Sequence, residues 1–166
     1  MSAKTFPDVG QVRQLPVHLT MNVPPEWEDC NGHVNVQYYL RLYDLGACQV
    51  LTEVDVGDAY LAAQELGIFD FEHHIYYRAE ILVGQQVSTY NRVLRANEKR
   101  FHGMYFIVND TVDRLACTIE YISAGVDLKQ RRATVFPPDL HRGIQQQLAR
   151  HQQLDWDAPI CGTMRL

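Results

Sequence analysis

The amino-acid sequence predicts an α+β fold, in which one long, largely apolar helix is followed by a run of antiparallel strands. Three observations carry that expectation. From Asn35 to about Glu53 the apolar residues recur at helical spacing, and beyond Gly67 the period shifts from about 3.6 to 2. The connections between the alternating segments are also too short for the crossovers that parallel strands require.

In chain order, residues 1–15 are polar and aperiodic, which predicts a loose arm. Val17–Val23 alternates apolar and polar residues, the pattern of a half-buried strand. Pro24-Pro25 stops it, since proline cannot donate to a ladder. The next stretch, Glu26–Val34, is a polar loop holding an acid (Asp29), a flexible glycine (Gly32) and a histidine (His33). Asn35 suits a helix N-cap, because its side-chain oxygen can accept a bond from a first-turn amide.

The helix that follows places Val36, Tyr39, Leu40, Tyr43, Ala47, Val50 and Leu51 on one face. Tyr38, Leu42 and Leu45 widen that face until only Gln37, Arg41, Asp44 and Cys48 remain as a polar stripe. A helix apolar most of the way round is expected to be buried. Gly46 in its middle lowers helix propensity and so predicts close contact with another element. A short helix over Ala59–Leu66, with Gly67 as its C-cap, is expected next. Strands are then predicted over Phe69–Leu82, Gln86–Arg95, Arg100–Val108 and Arg114–Val126, joined as an antiparallel meander. Pro137-Pro138 precedes a modest amphipathic helix over Asp139–Leu154, marked by Leu140, Ile144 and Leu148. The whole chain, 1–166, reads as one domain. A buried helix and free sheet edges both need covering, which predicts a symmetric homodimer or a dimer of dimers.

Composition narrows the function. Twenty acids against fifteen bases give a net charge of −5, which argues against a nucleic-acid partner. The four cysteines, at 30, 48, 117 and 161, show no C-x-x-C pair or disulfide-like spacing. With no hydrophobic leader, that suggests a reduced, cytoplasmic setting. No apolar run is long enough to cross a bilayer, so no membrane association is expected. Dinucleotide and phosphate-loop glycine patterns do not occur.

The chemistry concentrates at Asp29–Val36. A carboxylate just ahead of the unpaired amides of a helix start could act as base or nucleophile beside an oxyanion site. The simpler alternative is that Asp29 only closes an Asx turn. His33 could orient Asp29 or tie loop backbone together. Cys30 with His33 offers a thiol nucleophile on paper, without a local signature behind it. Cys30, His33, His73, His74 and Cys117 match no metal-ligand spacing, so no metal is expected. Of His73 and His74, neighbours on a strand, at most one can face a given site.

The segment Asp29-Cys30-Asn31-Gly32-His33-Val34-Asn35 and the aromatic-rich helix after it resemble the hotdog-fold thioesterases of the 4-hydroxybenzoyl-CoA thioesterase type. The Glu98–His102 turn and the ending from Val126-Asp127 to Pro137-Pro138 are similar to the betainyl-CoA thioesterase-like branch. The resemblance implies a hotdog fold, a long central helix wrapped by an antiparallel sheet, with active sites at the interface of a dimer. It implies an acyl-CoA thioesterase using Asp29 as nucleophile or general base and no cofactor beyond the coenzyme A of the substrate. Asn35 or Val36 would donate an amide to the thioester carbonyl, with His33 nearby. Trp27, Gly32, Tyr38, Tyr39, His74, Lys99 and Arg100 would contact substrate, the last two through the nucleotide phosphates. Trp27 stands where many members carry a second acid, a departure that bears on substrate choice. Rings of Trp27, Tyr38, Tyr39, Tyr43, Tyr76 and Tyr77 could also line an acyl pocket able to hold a quaternary ammonium. The alternative from another class is a non-catalytic acyl-CoA binding module.

Overall fold

A computed structural model describes residues 4–53 and 56–166. The elements are α1 (Val9–Val12), β1 (Val17–Asn22), a 3-10 turn (Pro25–Trp27), α2 (Gln37–Thr52), α3 (Asp58–Ala63), β2 (Leu66–Tyr77), β3 (Gln86–Ala96), β4 (Arg100–Asn109), β5 (Arg114–Asp127), β6 (Arg132–Ala133) and α4 (Pro138–His151). The helices and strands fall close to their predicted positions; their neighbours do not all.

One antiparallel sheet runs in the order β1-β3-β4-β5-β2, with β6 added on β5. Only β3, β4 and β5 form the expected meander. β2 pairs with β5, placing Phe69 opposite Ala124 and Tyr77 opposite Cys117. The side of β3 that a meander would give to β2 is held by β1, with Leu19 opposite Thr89 and Met21 opposite Val87. Residues 78–85 instead carry the chain across, burying Ile81, whose carbonyl accepts from Val34 N at 2.8 Å. Alternation locates strands but does not name their partners.

The regular turns of α2 start at Gln37, but Val36 already holds helical φ −52° and ψ −33°, so the capping position falls on Asn35, whose Oδ1 accepts from Gln37 N at 3.1 Å. Tyr39, Leu42, Tyr43, Gly46 and Val50 face the sheet and are buried. The prediction of burial nearly all round does not hold in the single chain. Val36 is 58% exposed and Leu40 is 40% exposed. Gly46 does mark a close approach: a Cβ there would lie 2.5 Å from Thr89 Oγ1 and 3.1 Å from the Tyr105 ring. Gly46→Ala should therefore destabilise by about 1–3 kcal/mol through overpacking, outweighing the gain of about 1 kcal/mol in helix propensity. Urea unfolding measures the sign, and a more stable variant would contradict the contact.

Gly67 is not a C-cap. The chain leaves α3 through Glu65, at φ +50°, and Gly67 already lies in β2. Its missing side chain makes room for Leu128, whose Cδ2 would sit 2.9 Å from an added Cβ.

Both faces of the sheet are covered, which is why β4 is buried almost without interruption. On one face α2, Phe136 and the Leu140 and Ile144 side chains of α4 pack on Phe101, Tyr105, Ile107, Ile119 and Tyr121. On the other face Val12, Leu15 and Trp156 pack on Tyr90, Met104, Phe106 and Val108. The first fifteen residues are thus not a loose arm among those described. Asp8 and Gln11 close a capping box around α1, and Gln14 Oε1 accepts from Trp156 Nε1 at 3.0 Å. Burial of Val12 and Leu15 supplies the driving force that the polar composition hides.

A register shift between Val93 and Arg95 frees the Val93 N–H from the ladder. It donates to His151 Nδ1 of α4 at 2.9 Å, while Arg92 donates to the Trp156 and His151 carbonyls at 2.6 and 3.2 Å. Burial first, then the charges of Arg150 and Arg92, push His151 down to about 4. A histidine neutral in the fold and basic when unfolded binds protons in the unfolded state. Its stabilisation is complete above pH about 6.5 and lost as pH falls toward 4, on the order of 3 kcal/mol in all. Thermal melts across that interval should show a fall in Tm that His151→Asn flattens.

Candidate active site

The loop between β1 and α2 is built from its own hydrogen bonds. Gly32 N donates to Asp29 O at 3.0 Å, and Asp29 N donates to His33 O at 2.9 Å. Gly32 takes φ +78°, a left-handed conformation that a glycine adopts without strain. Asn31 N donates to Asp29 Oδ1 at 2.8 Å, so Asp29 does close an Asx turn. His33 Nδ1 stands 3.5 Å from the same oxygen and 3.3 Å from the Val34 carbonyl oxygen. Both contacts to the carboxylate use Oδ1. Oδ2 has no protein donor among the described residues.

The Asp29 side chain is only 15% exposed. It faces a groove of about 480 Å3 lined also by His33, Val36, Tyr39, Tyr77 and Arg78. The start of α2 and the end of β2 form its walls, held together by an edge-to-face contact of Tyr39 on Tyr77 at 5.0 Å. Burial pushes the Tyr39 hydroxyl up to about 12, so it stays protonated at neutral pH and can only act as a neutral hydrogen-bonding group.

The two candidate amides separate clearly. Asn35 N donates to Trp27 O at 2.8 Å and is already used. Val36 N has no acceptor among the described residues, and Val36 lines the groove. Trp27 and Tyr38 stack face to face at 4.7 Å and 4°, which brackets the loop against α2. Trp27 is buried, and Tyr38 donates through its hydroxyl to Glu26 O at 3.2 Å. Neither ring lines the groove. His74 lies on Tyr76 at 5.3 Å, and Cys30 is exposed; neither lines the groove.

Lys99 and Arg100 are not gathered with Asp29 in one chain. The Arg100 guanidinium sits 5.5 Å from the centre of the Phe71 ring. Tyr77, at the groove, is about 20 Å further along β2. The basic residue in the groove is Arg78, which sequence periodicity assigns to strand interior. The structure ends β2 at Tyr77; Arg78 lines the groove, and its guanidinium lies 3.8 Å from the centre of the Phe6 ring. Among the described residues no cluster of three or more His, Cys, Asp or Glu could hold a metal, and no helix is long and apolar enough to cross a membrane.

The sheet packed on a 16-residue helix fits the hotdog fold, and comparison with known structures agrees. A Staphylococcus aureus protein solved in complex with CoA superposes with a TM-score of 0.78 at 18% identity, over 92% of this chain and 96% of that one. The DHNA-CoA thioesterase of Staphylococcus aureus gives 0.76 at 14% identity, over 86% and 97%. Residues 23–144 match the family model of the thioesterase-like superfamily, and the chain belongs to that family. Among curated relatives, an L-carnitine dehydrogenase/betainyl-CoA thioesterase of Agrobacterium fabrum is 29% identical over 71% of this chain and 24% of its own length. A betainyl-CoA thioesterase of Pseudomonas aeruginosa is 26% identical over 48% of this chain and 50% of its own. The chain therefore spans about a quarter of the bifunctional relative and half of the other.

Proposed function

We propose that the chain is an acyl-CoA thioesterase that hydrolyses a small acyl-CoA to the free acid and CoA. The observation that carries this reading is the Asp29 carboxylate, its Oδ2 uncommitted, in one groove with the unpaired Val36 amide at the start of α2. In the groove, the thioester carbonyl oxygen accepts from Val36 N, which with the positive helix end stabilises charge developing on that oxygen. Asp29 Oδ2 either removes a proton from a water that attacks the carbonyl carbon, or attacks it directly to form an anhydride that water then opens. In both routes the C–S bond breaks, water supplies the carboxylate oxygen and a proton, and CoA leaves as the thiol. Asn31 N holds Oδ1, with His33 Nδ1 3.5 Å from it, which leaves Oδ2 as the oxygen free to react. An anionic part of CoA at the groove's rim would be met by Arg78, whose guanidinium rests on the Phe6 ring.

The groove is open on one side, and its exposed walls at Val36 and Tyr77 continue onto β2, an edge strand. A second copy of the chain covering that edge would close the site, bringing Lys99 and Arg100 of one protomer within reach of the other's Asp29. Release of free thiol from a panel of aliphatic, aroyl and trimethylammonioacetyl (betainyl) thioesters of CoA tests the reading. Turnover of any member supports it. CoA binding without turnover of any would establish the non-catalytic acyl-CoA module instead.

A further inference from the structure

Arg78 stands where the chain leaves β2, and its backbone is fixed there, with Arg78 N donating to Ala116 O at 2.7 Å. Its side chain is exposed and makes no ion pair among the described residues. Two carboxylates, Asp29 and Glu80, line the same groove and leave it unpaired. The guanidinium lies instead on the face of the Phe6 ring, 3.8 Å from its centre.

Phe6 belongs to a segment that is anchored on both sides. Pro7 holds it in extended backbone and is itself buried. Beyond Pro7, the capping box of Asp8 and Gln11 fixes α1, Val12 is buried, and Arg13 pairs with Asp110 and Asp113 at 3.1 and 2.7 Å. Before it, Lys4 Nζ lies 4.8 Å from the centre of the Tyr76 ring, which Phe6 meets edge to face at 5.4 Å. Arg78 also lines a second trough, of about 680 Å3, together with Phe6, Pro7, Arg114 and Leu115. Asp8 and Asp113 line this trough too, but each is engaged within the segment: Asp8 Oδ1 accepts from Gln11 N at 2.8 Å and Asp113 Oδ1 from Arg13 at 2.7 Å. Arg78 is therefore the cation shared by the Asp29 groove and the trough beside the N-terminal segment.

We propose that Phe6 is a positioning residue for Arg78, and that through it the N-terminal segment takes part in binding the phosphates of coenzyme A. The proposal rests on the acyl-CoA reading of the Asp29 groove. A guanidinium stacked on a ring has one face covered and its edge free, with N–H donors in the plane that two phosphate oxygens require. The stack also keeps Arg78 from folding into the groove and pairing with Asp29 Oδ2, the oxygen left free to react. An exposed cation–ring contact of this kind corresponds to about a two- to fivefold change in affinity. The diphosphate and the 3′-phosphate of CoA offer Arg78 the same chemistry.

Calorimetric titration of CoA and of pantetheine, which lacks the nucleotide, tests the proposal. Phe6→Leu keeps an apolar cover on Tyr76 but removes the ring, and should weaken CoA about two- to fivefold while leaving pantetheine unchanged. Phe6→Tyr should bind CoA as the wild type does. Arg78→Gln should weaken CoA about tenfold or more, and adding Phe6→Leu to it should cost nothing further, because the ring acts only through the guanidinium. No CoA binding by the wild type, an unchanged affinity in Phe6→Leu, the same loss in the Arg78→Gln background, or an equal loss for pantetheine would overturn the proposal. Titration with 3′-dephospho-CoA assigns the phosphate: an effect of Phe6→Leu that persists places the diphosphate at Arg78, and one that vanishes places the 3′-phosphate there. In hydrolysis, KM for an acyl-CoA should follow these affinities with kcat unchanged. If no thioester is cleaved, the hydrolase reading fails on its own, and the titrations still decide the role of Phe6.

Discussion

Asp29→Asn should lower kcat for acyl-CoA hydrolysis by about 10²–10⁴-fold while leaving the fold and CoA affinity nearly unchanged. The argument turns on which oxygen does what. Oδ1 holds the turn by accepting from Asn31 N, and an asparagine carbonyl can accept the same bond. Oδ2 is the free atom, and the substitution replaces it with an amide that can neither deprotonate water nor attack a carbonyl. A purely structural Asp29 would thus show wild-type turnover in Asp29→Asn, since the Asx bond survives. Unchanged kcat in a variant with unchanged Tm would remove Asp29 from the chemistry. Residual activity well above the uncatalysed rate is expected, because the Val36 amide remains. One such donor is worth about 3–4 kcal/mol in other hydrolases. A single turnover in 18O-water distinguishes the two routes: label recovered in the Asp29 carboxylate requires an anhydride, and label confined to the acid product favours an activated water.

That asymmetry between the two oxygens is not written in the sequence, although Asp29 itself is. Local patterns are legible wherever the physics is local. Asn35 caps α2, Gly46 marks a close approach, and the four predicted strands appear as β2 to β5. The features that escape depend on contacts far apart in the chain. The partner of β2 is β5 because β1 fills the place beside β3, a competition among segments that alternation cannot rank. Residues 1–15 read as unstructured because their few apolar side chains gain burial only when Trp156 closes over the same face. Asn35 is a reasonable amide donor on sequence grounds, but its N–H is taken by Trp27 O, eight residues back. Arg78 escapes notice because a strand pattern hides where the strand stops.

The second large effect concerns the open side of the groove. β2 has β5 on one side and no strand along the other, so a 12-residue edge is exposed in the single chain. Such edges invite pairing unless they are charged, kinked or covered. This one is kinked by a register shift between Asp70 and Glu72, yet it carries Phe69 at 62% and Phe71 at 54% exposure on one stretch and, about 20 Å along, Tyr77 at 49% across the groove from Val36 at 58%. Exposed aromatics along a free edge that ends at a half-built site are what a partner copy would bury. Leu40→Arg and Phe69→Arg, neither of which lines the Asp29 groove, place charge on that surface without touching Asp29 or Val36. Sedimentation should show the wild type as at least a dimer and the double variant shifted to monomer. Turnover should fall with the dimer fraction and recover as protein concentration is raised. Far-UV circular dichroism should stay the same, because both side chains already face solvent in the monomer. A wild type that sediments as a monomer at assay concentration and still hydrolyses thioesters would mean that one chain completes the groove alone, leaving the β2 edge without a part in catalysis.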